Sequence, residues 1–332
     1  MLFDSKSRVS LEPLHASEVG LFTEMVTEHV STLYPGTESE YAYNLAQAHF
    51  LGVESVGLFS RRRVVWSVVF QNSLAGFIVS TEKSGGNVKI GPAVTLPRFW
   101  HKGVASQGID LLSNFYLKKG YHKLYFTVCA ANRAAIDLAI NSHFSFEARL
   151  KRHYSPDVDE LVFGKLIHPF SKNRINSNTD VQSLDRYDYS TSENELARMF
   201  AKSCKFVDEH FIHRLHEAKK QEYIKGNSFR SRGLFQLDGN LSPMAAIVSS
   251  QKRGGAVKFD LATNGNVVDF GFLEEVERFY RYRGSRKAYS MVSNIDLEST
   301  KSFLAAGYSV EGILRAPFGQ SHSTLIFAKT WR

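Results

Sequence analysis

The chain has 332 residues, 43% of them apolar and 22% charged. At about 150 residues per domain that length predicts two domains, and the composition excludes wholesale disorder, collagen-like repeats and long coiled coils. The net charge is +8, but residues 1–170 carry 17 Lys and Arg against 15 Asp and Glu, so the excess lies in the second half. Such an excess concentrates anionic partners without identifying them.

In chain order, MLFDSKSRVS brings Asp4, Lys6 and Arg8 before any apolar run, so no secretory signal is expected and the expected compartment is cytoplasmic. Two amphipathic helices are predicted at about 16–31 and 38–51. Three β-rich runs follow, VVWSVVFQ (64–71), LAGFIVST (74–81) and NVKIGPAV (87–94), separated by short Asn/Ser and Gly-Gly turns as in an antiparallel meander. None approaches the ~18 apolar residues that a membrane span needs. A helix is predicted over 104–117 with Gly120 as its stop, then a strand over 123–129, a helix over 130–141, and closing strands at 144–150 and 161–167. The order β-α-α-β-β-β-α-β-α-β-β is that of an α+β domain. HPFSKNRINSNTDVQS (168–183), rich in Pro, Asn and Ser, reads as a linker. Helices are predicted beyond it at about 192–203 and 205–224. Cys129 and Cys204 have no spacing that suggests a disulfide framework or a zinc site.

The chain contains an internal repeat. Residues 115–165 align without a gap onto 279–329, with twelve identities that include Phe115/Phe279, Tyr116/Tyr280, Gly120/Gly284, Lys123/Lys287, Glu147/Glu311 and Lys165/Lys329. Upstream, GGNVKI (85–90) matches GGAVKF (254–259) at an offset larger by five. The second copy has therefore lost five residues where the first reads TLPRFWHKGVASQG.

That segment joins a strand to a helix through Pro97, Arg98, Phe99, Trp100, His101, Lys102, Gly103, Val104 and Ala105. A strand that feeds a helix through a Gly turn aims several N–H groups and the positive dipole end at one spot, a preformed phosphate site. A plain turn predicts many of the same letters. Here the residues resemble the Gcn5-related N-acetyltransferase (GNAT) superfamily, whose pyrophosphate signature is [Q/R]-x-x-G-x-[G/A] after a strand that ends in proline. Pro97, Gly103 and Ala105 stand at matching positions, and Trp100 replaces the usual Gln or Arg. Downstream, Asn132, Ala135, Ile136, Phe144, Glu147 and Leu150 resemble the family's N-x-x-A-I…GF-x-x-E-G-x-L-R stretch; Gly307-Tyr308, Glu311-Gly312 and Leu314-Arg315 repeat it in the second copy.

The resemblance implies a three-layer α/β/α fold of the α+β class with a mixed, mostly antiparallel sheet, in two tandem acyl-CoA N-acyltransferase-like domains. Residues 1–170 would be the catalytic one and 180–332 a degenerate one without the pyrophosphate loop. It implies acetyl-CoA as co-substrate, no metal, and direct acetyl transfer to a primary amine of a small molecule or peptide. Thr95, Leu96, Lys102, Gly103, Val104, Ala105 and Asn132 would bind the coenzyme, a backbone N–H near Thr95 or Leu96 holding the thioester oxygen. The helix after Asn132 has Ala139 where many members carry a tyrosine that protonates the departing thiolate. Candidates for the base are His101, His153 and Glu147, and Tyr154 or Cys129 could reach the sulfur; strand-end and core packing are the bland alternatives for the last two. TNGNVVD (263–269) stands in place of the cradle in the second copy, which implies that this copy does not bind coenzyme A in the usual way.

Three further features admit two readings each. RFYRYRGSRK (278–287) interleaves Arg278, Arg281, Arg283 and Arg286 with rings, as an RNA surface or a helix end with a core stripe would. His210, His213 and Glu217 have metal-ligand spacing on a helix, or simply form a solvated face. Arg61–Arg63, echoed by Arg230 and Arg232, would charge a hairpin edge. Three functions remain open: an acetyltransferase, an acetyltransferase-shaped binding module, and an acetyltransferase whose amine is carried by RNA, such as an aminoacyl-tRNA.

Overall fold

The structure is a computed structural model that describes residues 2–3, 8–34, 39–51, 60–83, 85–167, 195–196, 198–200, 232–238, 243–265, 268, 270–315 and 322–331. It divides into two units, 1–147 with 157–170, and 148–156 with 171–332.

In the first unit β1 (Leu2–Phe3), β2 (Val9–Pro13), β3 (Ser60–Phe70), β4 (Ser73–Lys83) and β5 (Asn87–Thr95) pair in that order, antiparallel throughout. β5 then runs parallel to β6 (Lys123–Cys129), which pairs antiparallel with β8 (Val158–Leu166). Alternation along β3 explains the layers, because successive side chains face opposite sides of a sheet. Val65 joins Phe77, Val79 and Val94 under α1 (Val19–Val30) and α2 (Ser39–Phe50), which contribute Phe22, Met25, Val26, Leu45 and Ala46. Val64, Trp66 and Val68 face the other way, onto Ile109, Leu112 and Tyr116 of α3 (Val104–Lys118). With both faces covered, VVWSVVF is a continuous apolar run rather than an alternating one.

The mixed-sheet, three-layer architecture expected from the sequence is thus the one observed. Boundaries differ where caps and tertiary contacts decide. The first predicted helix is a 3₁₀ turn (Ala16–Glu18) followed by α1. The helix predicted from 130 begins as α4 at Arg133 (Arg133–Asn141), because the Asn132 side chain accepts the Ala135 N–H at 3.0 Å and caps it. The closing strand predicted to stop at 150 is β7, Ser145–Ser155. From Ala148 onward this strand groups with the second unit.

The second unit repeats the plan with β9 (Arg232–Asp238), β10 (Pro243–Gln251), β11 (Ala256–Thr263), α5 (Phe270–Tyr282), β12 (Lys287–Ser293), α6 (Leu297–Ala305), β13 (Ser309–Leu314) and β14 (Thr324–Thr330). β11 and β12 are parallel, and the other pairs among these strands are antiparallel. The residues identical between copies hold the fold. Lys123 donates to both Glu147 oxygens (2.8 and 2.7 Å), and Lys287 to Glu311 at 2.5 Å, all four side chains being buried. The Ser80 and Tyr116 hydroxyls meet at 2.8 Å, and Ser249 and Tyr280 form the equivalent buried pair. Asp296 caps α6 by accepting the Ser299 N–H at 3.1 Å, as Asn132 does in α4. Residues 148–156 join the second unit in the same terms: Ala148 pairs with Gly312, the Lys151 carbonyl accepts from Lys287 at 2.5 Å, and the Lys151 N–H donates to Glu311 at 3.2 Å.

The calls on the linker 168–183, on His210, His213 and Glu217, on Arg230, on Cys204 and on the helix at 205–224 lie outside the described residues, as does most of that predicted at 192–203. No helix among the described residues is long and apolar enough to cross a membrane, and no group of three or more potential metal ligands occurs among them.

Candidate active site

The site is built around the place where β5 and β6 part. Their pairing covers only Asn87–Lys89 against Lys123–Tyr125. Beyond it, β5 carries a bulge against β4: Ile78 pairs with Ala93 but Ser80 with Ile90. A bulge bends its strand, and from there β5 no longer follows β6. The gap between them is lined by backbone groups that a regular sheet would have paired.

Register tells which amides face that gap. Leu96 N–H donates to the Ala75 carbonyl at 2.8 Å, across to β4. Successive N–H groups along a strand point to opposite edges, so Thr95 and Ala93 direct theirs into the gap. Of the two oxyanion donors read from the sequence, Leu96 is already engaged, and Thr95 has the required direction. On the other side Ala130 N–H donates to Asp159 of β8 at 2.9 Å, so Cys129 faces the gap. Its N–H donates to the Tyr34 hydroxyl at 3.0 Å, and Asn132 Nδ2 approaches the same oxygen at 3.5 Å. Burial raises the Tyr34 pKa above its usual value, against the lowering effect of those two donors.

At the mouth of the gap a 3₁₀ turn over Pro97–Phe99 leads through Trp100 and His101 to Gly103, which caps α3 with φ 71°. This left-handed conformation suits glycine, and it turns the chain so that α3 begins with Val104, Ala105 and Ser106, whose N–H groups have no partner within a helix. Trp100, in the place of the family's Gln or Arg, donates from Nε1 to the Thr95 carbonyl at 2.7 Å and sets its ring 6.2 Å from that of His29. It therefore ties the loop to the end of β5. Arg98 and Lys102 sit over the Phe99 ring at 4.9 and 5.4 Å, two cations beside the helix start. This donor set fits a diphosphate: N–H groups at a dipole's positive end, exposed cations, and a turn without a side chain at its tightest point.

The sequence-derived residues thus separate. Thr95, Lys102, Gly103, Val104 and Ala105 come together on the loop, and His101, exposed and with φ 60°, sits beside them. Asn132 lies across the gap as a helix cap. Glu147 is a correction: both oxygens are held by Lys123, and its side chain is 3% exposed, so it is not poised to take a proton from an incoming amine. His153 packs its ring 4.9 Å from Tyr289 within the second unit. The side chain of Tyr154 lies outside the described residues. Cys129 and Ala139 are buried in the core. Sequence reasoning missed Tyr34 because an aromatic residue just past a helix end carries no motif, and it passed over Arg98 as one letter of a turn.

In the second unit the same region is shorter and straight. β10 and β11 pair from Ala245/Thr263 to Gln251/Val257 without a register shift, so the bulge is absent. β11 has 8 residues against 9 in β5, and α5 has 13 against 15 in α3. The Val268 N–H, two residues before α5, donates to Ser302 Oγ at 2.9 Å in a buried setting. Of the RNA-surface candidates, Arg278, Arg281 and Arg283 are exposed on or just beyond α5, whereas Arg286 bonds to the Gly254 carbonyl.

The first unit is thus a three-layer mixed sheet that splits between two parallel strands, with a glycine-capped helix at the split. Residues 23–144 match the model of the Acetyltransferase (GNAT) family. Among solved structures, similar chains include an acetyltransferase from Salmonella typhimurium that modifies the N-terminal serine of ribosomal protein L7/L12 (17% identity, 48% of this chain and 95% of that chain, TM-score 0.42). Another is the ribosomal-protein-S18-alanine N-acetyltransferase from Escherichia coli (14%, 50% and 97%, TM-score 0.38). A third is a GNAT-family acetyltransferase from Streptococcus pneumoniae (15%, 48% and 99%, TM-score 0.36). No curated protein sequence matches the chain.

Proposed function

We propose that the first unit binds acetyl-CoA with its diphosphate on the Gly103 turn and its thioester in the gap between β5 and β6, and transfers the acetyl group to a primary amine of a small molecule or peptide. The observation that carries this reading is the coincidence of the β5 bulge, which opens the gap, with the Gly103-capped helix at its mouth. Thr95 N–H would hold the thioester oxygen as charge develops on it. Holding both reactants in one cleft removes much of the entropic barrier. The second unit, whose β11 pairs with β10 without a bulge and whose sequence is five residues shorter in this region, is inferred not to bind the coenzyme.

Calorimetry of the full chain with acetyl-CoA tests the reading. Micromolar binding that weakens at least tenfold in Arg98→Ala/Lys102→Ala, and weakens with salt, supports it. No binding at millimolar ligand leaves the acetyltransferase-shaped module instead. A second reading, in which RNA carries the amine, is favoured by Tyr282, 94% exposed between Arg281 and Arg283. Under that reading Arg281→Glu/Arg283→Glu abolishes transfer to an aminoacyl-tRNA acceptor without changing acetyl-CoA affinity.

A further inference from the structure

The end of the second unit where α5 stops carries charges and a ring that the fold does not require, and the first unit supplies the comparison. The two ends are built alike. The Ser80–Tyr116 and Ser249–Tyr280 hydroxyl pairs fix α3 and α5 to matching strands, and Gly120 and Gly284 turn the chain just past each helix with φ 83° and 81°. In the first unit the end is closed by Glu82, a buried acid that accepts from Lys119 at 3.2 Å and from Tyr121 at 2.7 Å. In the second, Gln251 and Ser285 stand at those two positions and approach each other at 3.5 Å. The acid is absent, yet Asn114, Leu117 and His122 are matched by Arg278, Arg281 and Arg286, and Lys118 is matched by Tyr282. Arg278, Arg281 and Arg283 are exposed and form no ion pair among the described residues. Tyr282 is 94% exposed, and among the described residues of α5 no other large apolar side chain is exposed. Spacings of three and four put Arg278, Arg281 and Tyr282 on one helix face. Arg283 lies over the Phe279 ring at 4.1 Å, which leaves the edge of its guanidinium open to an acceptor. Cations at a helix C-terminus also suit the dipole, but that explains the charges and not a ring held out in water.

We propose that this surface binds a single strand of nucleic acid, with phosphates on Arg278, Arg281 and Arg283 and a base stacked on Tyr282. Guanidinium groups offer paired donors that match phosphate oxygens, and an aromatic ring accepts the face of any base. The ring selects the form of the nucleic acid, because single strands present unstacked bases to aromatic side chains and a duplex keeps them stacked on one another. The carboxylates of an acidic peptide would engage the arginines alone. A lipid surface would need a wider apolar face than one ring. Binding requires neither the coenzyme nor an amine on the strand, so it goes beyond the choice of acceptor and does not rest on it.

The test is fluorescence anisotropy of the full chain with a labelled oligouridylate of about 12 nucleotides, and with the matching oligothymidylate. Both strands should bind, since phosphate and base face are common to them; binding of the RNA alone supports the proposal with a further contact to the 2′-hydroxyl. Binding of neither overturns it. Arg281→Glu/Arg283→Glu should weaken binding at least about tenfold, and Arg281→Gln/Arg283→Gln should flatten the dependence of log affinity on log salt by about 0.7 per arginine. Tyr282→Ala should weaken it about tenfold, while Tyr282→Phe, which keeps the ring, should stay within about threefold. Lys118→Glu, at the matching exposed position of the first unit, should change nothing. A Tyr282→Ala protein that binds as tightly as the unchanged one overturns the proposal and leaves a plain cationic surface, which polyglutamate or phosphatidylserine vesicles would then occupy equally well. Displacement of the strand by excess coenzyme A would place it on the Gly103 turn and overturn the proposal too. A chain that binds the strand but not acetyl-CoA supports the proposal and refutes only the coenzyme reading, so the two failures are separate.

Discussion

Replacing Glu147 should unfold the first unit without any catalytic signature of its own. Lys123 and Glu147 are 1% and 3% exposed, and the ammonium lies 2.8 and 2.7 Å from the two carboxylate oxygens. Removing the acid in Glu147→Ala strands a buried cation, which costs about 3–5 kcal/mol. That is about a fifth or more of a typical total of about 5–15 kcal/mol. Gly164 supplies an independent route to the same loss: a Cβ there would lie 2.6 Å from the Glu147 carboxyl carbon and 2.6 and 2.7 Å from its oxygens. The carboxylate is the end of a flexible side chain, but it can yield only by leaving Lys123. Gly164→Ala should therefore cost a similar amount in the unchanged protein and almost nothing in the Glu147→Ala background, a coupling well above the few tenths expected of independent sites. Lys123→Met/Glu147→Leu removes both charges and should be neutral or stabilising by up to about 4 kcal/mol. Urea unfolding followed by tryptophan fluorescence reports it: with Trp331→Phe, only Trp66 and Trp100, both in the first unit, remain among the three tryptophans. Acetyl transfer measured on the apolar pair should persist. A Glu147→Ala cost below about 1 kcal/mol, or a well-folded Lys123→Met/Glu147→Leu protein without turnover, would refute the structural assignment and return Glu147 to the list of bases.

Further outcomes follow from the loop, from a half-buried histidine and from the chain division. Gly103 has φ 71°, and an added Cβ would meet only Gln107 Nε2 at 3.5 Å. Gly103→Ala should thus cost about 1–2 kcal/mol of backbone strain while raising the Kd for acetyl-CoA at least tenfold, as calorimetry would register. His49 accepts the Val65 N–H on Nδ1 at 3.3 Å, and burial lowers its pKa from the ordinary value. The unfolded chain then binds the proton at higher pH than the folded one, so this contribution to stability is complete above about pH 6.5 and falls as pH drops through the lowered folded value. Melting curves between about pH 7 and pH 5 should fall more steeply for the unchanged protein than for His49→Gln. A chain ended at residue 170 strips residues 148–156 of the second-unit partners that Lys151 and Ala148 use. It should lose protection at the Lys151 amide, which donates to Glu311 in the full chain, while the amides paired between β3 and β4 stay protected; equal protection of Lys151 in the short and full chains would contradict the division.

The layers, the matching segments and the glycine turn before α3 were legible in the amino-acid sequence by itself, because each rests on local rules. Apolar runs such as VVWSVVF specify a strand buried on both faces. Twelve identities over 51 positions point to two copies of one plan. A glycine before a helix start needs only backbone geometry to be recognised. Glu147 was visible as a repeated acid, but repetition marked it equally well for catalysis or for structure, and only Lys123, 24 residues away and placed beside it by strand pairing, decides between them. Tyr34 and Cys129, 95 residues apart, meet because β5 has bent away and left an amide for a distant hydroxyl to satisfy. The five lost residues were countable in the letters. That one of them is the bulge which opens the first sheet was decided by the register of β4 on β5 and of β10 on β11, since a bulge exists only in the pairing of two strands and in neither strand alone.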